Sequence, residues 1–246
     1  MIIFISPAKT FRQSLKEHQT KPIFLSCALK INKALKSFKK TELMDKMKIS
    51  QKVADQTFQY IHNFNQNVMP AIDSYYGHQY KHLNIDSFSP EDLNYTKSHL
   101  YILSGLYGLL RPFDGISYYR LEMNYKFLFN LYDFWQEKIT TYLKNNHPNE
   151  VFINLCSNEY GKLLKFDSVI QIEFYQIKAS SLKIHAMEAK KLRGLMASYL
   201  LKNQIQSISK IKNIIIDGYA FNEKLSDQKH FIFTKEIWWK DYLDYY

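Results

Sequence analysis

A chain of 246 residues, 46% hydrophobic and 16% aromatic, can bury the core of one large domain, and its seven glycines are too few for a collagen-like or glycine-rich repeat. No apolar run approaches the ~18 residues of a bilayer span, and Cys27 and Cys156 form neither a CxxC pair nor a zinc-spaced set. The net charge of +10 is uneven: residues 1–60 carry 12 Lys/Arg against 4 Asp/Glu, the rest 21 against 19, a balance that fits a polyanion partner or a lysine-rich solvated surface.

Met1–Ser6 reads as a buried strand stopped by Pro7. It is too short, and lacks the basic flank, for a secretion signal, so the protein is expected in the cytoplasm. Ser26–Lys40 is helical, with Leu29, Ala34, Leu35 and Phe38 at helical spacing. A second helix follows over Thr41–Lys48, with Thr41 as its N-cap. Ser50 caps a third, which runs to about Phe64 and buries Val53, Ala54, Thr57, Phe58 and Ile61. Short helices are expected near Met69–Tyr75 and from Ser89, where Pro90 fits the first helical position. The stretch between them, with His78 and His82, reads as loop.

Leu100–Leu103 is a short strand, and Ser104–Asn124 a loop rich in Gly, Pro and aromatics. Leu131–Asn145 is a helix with Trp135, Ile139 and Leu143 on one face. Val151–Leu155 is a strand and Ser157–Leu164 a helix. Val169–Ile177 and Leu182–His185 read as a strand pair, Ala186–Lys202 as an amphipathic helix, and Ile214–Ile216 and His230–Thr234 as the last strands. The aromatic end, Trp238–Tyr242, reads as packing. No Pro/Ser-rich linker divides the chain, so residues 1–246 are taken as one domain with a mixed sheet and surrounding helices.

Three strands, Met1–Ile5, Leu100–Leu103 and Val151–Leu155, are apolar on both faces, as buried parallel strands are. Each runs into a polar segment: Ser6–Thr10, Ser104–Gly108 and Cys156–Tyr160. Parallel pairing would bring these segments together at the carboxyl edge of the sheet, where open α/β sheets hold ligands. Antiparallel pairing would scatter them.

Three constellations could carry chemistry. The turn Met47–Ala54 has the shape of a helix-hairpin-helix. The second helix would offer its N-terminus to a phosphate at Ser50, and Lys46, Lys48 and Lys52 would neutralise neighbouring ones. The usual hairpin glycines are missing, and an ordinary helical corner has the same spacing. Lys190, Lys191 and Arg193 could clamp phosphate from one helix, and Gly194 inside that helix suggests close packing or ligand approach. The third group follows the Leu100–Leu103 strand: Tyr107, Arg111 and Asp114, then Arg120 and Glu122, with two glycines allowing a tight turn. It is not a P-loop. Nor is there a GxSxG elbow, and His78, His82 and Asp86 do not make a ligand set, so no metal or cofactor is expected.

At these residues the chain resembles the bacterial YaaA family of the peroxide-stress response, over its full length. The marks are Ile5-Ser6-Pro7-Ala8-Lys9-Thr10, Leu103 to Arg111-Pro112, Tyr119-Arg120-Leu121-Glu122-Met123, Leu131-Tyr132-Asp133-Phe134-Trp135, Ile153-Asn154-Leu155, Ser157-Asn158-Glu159-Tyr160, Lys191 to Met196, and Gly218-Tyr219. The resemblance implies a family-specific mixed α/β fold containing a helix-hairpin-helix element and a basic cleft. It implies binding to double-stranded DNA and a part in limiting damage from peroxide and free iron. It brings no established catalytic activity. The chain departs from the pattern at Leu192, Cys156 and Asn124, and a Phe-x-Gly-Asp-x-Tyr segment is reduced to Tyr75, Gly77, His78 and Tyr80, where His78 replaces the Asp.

Two functions are expected to compete. As a DNA-binding stress protein, acting as a monomer, the chain would contact phosphates through Lys9, Lys46, Lys48, Ser50, Lys52, Arg111, Arg120, Lys190, Lys191 and Arg193. As an enzyme on a nucleotide or damaged base it would use the crevice at the strand ends. Glu122 or Glu159 would then be the general acid/base, Asp114 and Tyr107 further candidates, with Ser6, Ser104, Ser157 and Tyr160 lining the site.

Overall fold

The computed structural model describes residues 1–178 and 181–236, so Trp238–Tyr242 lies outside the described residues. Its centre is a mixed nine-stranded sheet. The strands are β1 (Ile2–Ile5), β2 (Leu100–Ser104), β3 (Gly108–Leu110), β4 (Phe152–Leu155), β5 (Val169–Lys178), β6 (Ser181–Lys183), β7 (Ile215–Ile216), β8 (Tyr219–Phe221) and β9 (His230–Glu236). They lie in the order β7-β8-β9-β5-β4-β1-β2-β3, and β6 pairs with β5. Every residue of β1, β2 and β4 is buried, as their unbroken apolar sequences demand.

The three strands pair in parallel, with β1 in the middle. Ile5 lies opposite Ile102 on one side and Leu155 on the other. The segments that follow therefore leave the sheet at nearly one level. The chain passes from β1 to one neighbour and then returns across it to the other, which leaves a crevice at the carboxyl ends. β5 and β9 extend the parallel set.

The Ser104–Asn124 stretch, predicted as loop, doubles back at once. β3 pairs antiparallel with β2, Ser104 facing Gly108. Gly108 has a φ of 72°, and a Cβ there would sit 2.5 Å from the Trp135 ring, so both conformation and space require glycine. Strand β8 was also missed. At three residues it is too short to show a period, and it is made by a two-residue turn in which Asp217 and Gly218 both take positive φ (53° and 82°).

The main helices are α1 (Leu25–Leu35), α2 (Lys40–Met47), α3 (Gln51–His62), α4 (His78–Leu83), α5 (Pro90–His99), α6 (Leu131–Asn146) and α7 (Ala186–Lys202). α1 ends before the predicted Lys40. Lys39, not Thr41, caps α2, because Glu42 in its first turn accepts a hydrogen bond from the Lys39 amide at 2.7 Å. α5 begins at Pro90 behind a Ser89/Asp92 capping box. α6 buries Leu131, Trp135, Ile139 and Leu143, the spacing the sequence offered. The predicted helix near Met69–Tyr75 is reduced to Ala71–Ser74, flanked by short extended pairs.

α4 forms where the sequence predicts a loop. Tyr80 and Leu83, three residues apart, are its buried face, and α7 packs along it. Gly194 is where the two helices meet: a Cβ there would lie 2.2 Å from the Gln79 carbonyl oxygen and 3.0 Å from the Leu83 amide nitrogen. The glycine that costs helix propensity thus permits backbone contact. The buried residues of strands and helices join in one apolar cluster. Among the described residues no helix is long and apolar enough to cross a membrane.

Candidate functional site at the carboxyl edge of the sheet

A cavity of about 440 Å³ opens where β1 and β4 end. Five pieces of chain enclose it: Ser6–Thr10, Tyr76–Tyr80, Tyr119–Glu122, Ser157 with Glu159 and Tyr160, and Lys190 with Arg193 on α7. Hydrogen bonds lace these pieces together. The Ser157 amide donates to Ser6 Oγ at 2.8 Å, and the Tyr80 hydroxyl donates to the Ser6 carbonyl at 2.9 Å. Gly105 holds the third loop in place, since a Cβ on it would meet the Leu121 carbonyl oxygen at 2.3 Å.

Glu122 is the most heavily engaged carboxylate in the cavity. Lys9 Nζ lies 2.5 Å from one oxygen, and Arg120 (3.3 Å) and the Tyr125 hydroxyl (3.1 Å) approach the other. The same hydroxyl is 3.3 Å from the Met47 carbonyl oxygen, the last residue of α2. Its single proton can serve one acceptor at a time, so Tyr125 joins the rim of the cavity to the α2–α3 corner. Burial first, and Glu122 next, push the Tyr125 hydroxyl up to about 12.

Glu159 is half-buried. Burial raises its pKa above the usual carboxylate value, and the charge of Glu122 adds to that. The amides of Asn124 and Met123 and the charge of Lys9 act in the other direction without cancelling it. Arg193 projects from α7 beside Gly194. Burial lowers its ionisation from the usual guanidinium value. Its Nε is buried with no hydrogen-bond partner, and so is that of Arg120. Both nitrogens are covered by protein, an arrangement that costs stability, on two arginines that line the one cavity.

Beneath the cavity Tyr119 bonds both Ser104 Oγ and the Tyr75 hydroxyl at 2.7 Å, a buried polar chain that fixes the ring lining the cavity. Burial pushes the Tyr119 hydroxyl up to about 12. Cys156 is buried below Ser6, and burial raises its thiol, so it has little thiolate character.

The structure divides the predicted residues into three groups. Lys9, Arg120, Glu122, Glu159, Lys190 and Arg193 line one cavity, together with Ser6, Ser157 and Tyr160. Lys46, Lys48, Ser50 and Lys52 stand exposed on the α2–α3 corner. Lys48 ends α2 with a φ of 52°, taking the left-handed position where a glycine would be at ease. Tyr107, Arg111, Asp114 and Lys191 lie apart. Tyr107 is buried, its hydroxyl accepting from the Ser117 amide at 3.0 Å. Arg111 is held by Asp114 and the Lys21 carbonyl, and Lys191 lies 2.6 Å from Asp217. Sequence reasoning reaches His78 as a departure from a family pattern and as part of a rejected ligand set, and Gly77 as a remnant of that pattern, but it does not place Tyr76 or Gln79 in a site. The signal for α4, Tyr80 and Leu83 on one helical face, is too short to stand out.

Comparison with known proteins agrees over the length of the chain. Residues 1–225 match the family model described as peroxide stress protein YaaA. A UPF0246 protein of Clostridium perfringens strain 13 is 41% identical, the match covering 96% of this chain and 100% of that protein. One from Francisella tularensis subsp. novicida is 39% identical at the same coverage.

Proposed function

The chain belongs to the peroxide stress protein YaaA family, and from that premise we propose that it is a cytoplasmic, monomeric protein that binds duplex DNA and limits damage by peroxide and free iron. One observation carries the DNA reading. A cationic cavity and an exposed, lysine-bearing helical corner are joined through Tyr125, which sets the end of α2 beside the cavity rim. Lys46, Lys48, Lys52 and the α3 N-terminus at Ser50 would serve a stretch of backbone phosphates, and Lys9, Arg120, Lys190 and Arg193 a phosphate brought to the cavity. Such contacts hold the backbone without reading sequence.

Titration of a labelled duplex at several salt concentrations tests this. The logarithm of affinity should fall with the logarithm of salt at a slope of about −0.9 per phosphate neutralised, with little preference among sequences. Affinity that is flat with salt would overturn the reading.

A second reading is favoured by the position of Glu159. A carboxyl group with a raised proton affinity, in a cavity that two arginines also line at the carboxyl edge of a parallel sheet, suits a general acid/base acting on a nucleotide or damaged base. Glu159→Gln should then abolish turnover while leaving duplex affinity unchanged or raised.

A further inference from the structure

We infer that the cavity holds one nucleotide unit by its terminal phosphate monoester, on a free nucleotide or at a strand end, and does not admit the internal phosphates of a duplex. This rests on the reading of the cavity as a phosphate site and specifies the phosphate it takes.

Size is the first ground. About 440 Å³ lies within the span of small-molecule pockets, roughly 300–1,000 Å³. An internal phosphodiester continues into chain on both sides, and both continuations would have to pass the five segments that line the space. A chain end has only one continuation.

Charge is the second. Four cationic side chains, Lys9, Arg120, Lys190 and Arg193, face two carboxylates, Glu122 and Glu159, an excess of two positive charges. A phosphate monoester carries about −1.5 to −2 near neutral pH, whereas an internal diester carries one negative charge. The monoester is the closer match.

Donor geometry is the third. Arg120 and Arg193 both line the cavity, and a guanidinium offers paired terminal N–H donors to phosphate oxygens. Glu122 sits on Lys9 and Arg120 as a resident anion, 2.5 Å and 3.3 Å away, and an arriving phosphate would compete with it. The apolar part of the wall, Pro7, Ala8, Leu121 and Tyr76, would face the remainder of the nucleotide.

The experiment uses the full chain and calorimetry with adenosine monophosphate, adenosine and inorganic phosphate. A parallel arm compares duplexes with 5′-phosphate, 3′-phosphate and hydroxyl ends. Adenosine monophosphate should bind at least about tenfold tighter than adenosine. Arg193→Met should remove that difference while Arg193→Lys keeps part of it. Glu122→Gln should tighten adenosine monophosphate, since Lys9 and Arg120 are released. Tighter binding of phosphate-ended than hydroxyl-ended duplexes identifies a strand end as the source, and a preference confined to the free nucleotide identifies the mononucleotide. Equal affinity for adenosine and its monophosphate, together with indifference to duplex ends, overturns the inference. Steep salt dependence of duplex binding in those same samples would leave the DNA reading standing, so the two failures are separable.

Discussion

One stretch of chain, Ser104 to Glu122, carries two arginine–carboxylate pairs, and they are built for opposite purposes. Asp114 is fully buried and every oxygen is occupied: Oδ1 accepts from Thr20 at 2.6 Å and from Arg111 Nε at 3.1 Å, and Oδ2 from the Arg111 amide at 2.9 Å. Arg111 spends another N–H on the Lys21 carbonyl at 2.7 Å. Arg120 and Glu122 share a single longer contact of 3.3 Å at the wall of a cavity, and Arg120 Nε, itself covered by protein, has no partner. A saturated pair is a rivet, because nothing remains for a ligand. An unsaturated pair keeps donors in reserve. The same residue types near the same glycine-bearing turn cannot be told apart by spacing.

Breaking the rivet should have the largest effect on folding. Asp114→Ala strands the Thr20 hydroxyl and the Arg111 guanidinium, and a broken buried pair costs about 3–5 kcal/mol. Arg111 is partly exposed and can recruit water, so the lower end applies, about 3 kcal/mol. At roughly 2–4 °C per kcal/mol for a chain near this size, the melting temperature should drop by about 6–12 °C. Duplex affinity of the folded fraction should stay within about twofold, by analogy with contacts that do not touch phosphate. Loss of affinity with stability intact would place Arg111 among the ligand contacts and dissolve the distinction.

Gly194→Ala sharpens it from the cavity side. The added methyl would need the place of the Gln79 carbonyl oxygen, so α4 and α7 must separate, at a cost of about 1–3 kcal/mol. Arg193 is the neighbouring residue and moves with the helix, while His78 and Gln79 move with α4. Anion affinity should therefore fall more than stability alone explains. Urea melts and phosphate-ligand titration of the same samples separate the two losses.

The α2–α3 corner is expected to differ from the cavity in kind. Lys48 and Lys52 are exposed, so removing both as alanines should shift stability by less than about 0.5 kcal/mol. The salt slope for duplex DNA should become shallower by about 1.8, two phosphates' worth. A slope unchanged by the double substitution would remove the corner from the interface.

The sequence made the parallel core legible because β1, β2 and β4 are buried on both faces and read as unbroken apolar runs. Their shared edge followed from topology alone, and six of the predicted phosphate or proton-transfer residues meet there. Sequence misled where a contact across the chain decides the outcome. Arg111 and Lys191 have the composition of ligand contacts, but Asp114, Lys21 and Asp217 hold them. α4 was hidden because six residues give too little period, and its partner, the flat face at Gly194, lies more than a hundred residues away in the chain. Gly194 itself was flagged by its cost in a helix, which is a local signal.

The smallest effect belongs to Glu159, and its sign can be worked out. Burial raises its proton affinity in the folded chain above that of an unfolded glutamate. The folded state then binds the proton more tightly than the unfolded state, so the contribution of Glu159 to stability is greatest at low pH and is lost as pH rises through its folded value. At neutral pH the buried carboxylate is a cost. Glu159→Gln removes that cost and should leave the chain equally stable or slightly more so. It also deletes a negative charge that acts on Lys9 in the same cavity, so phosphate ligands should bind a few-fold tighter at pH 7. In the unmodified chain phosphate affinity should rise as pH falls through the Glu159 transition, and in Glu159→Gln that portion of the rise should vanish. Calorimetric titrations from pH 7 down to pH 5 would check it. A substituted chain that binds phosphate more weakly would mean that the carboxyl group donates its proton to the ligand, which is the behaviour of the general acid in the enzymatic reading.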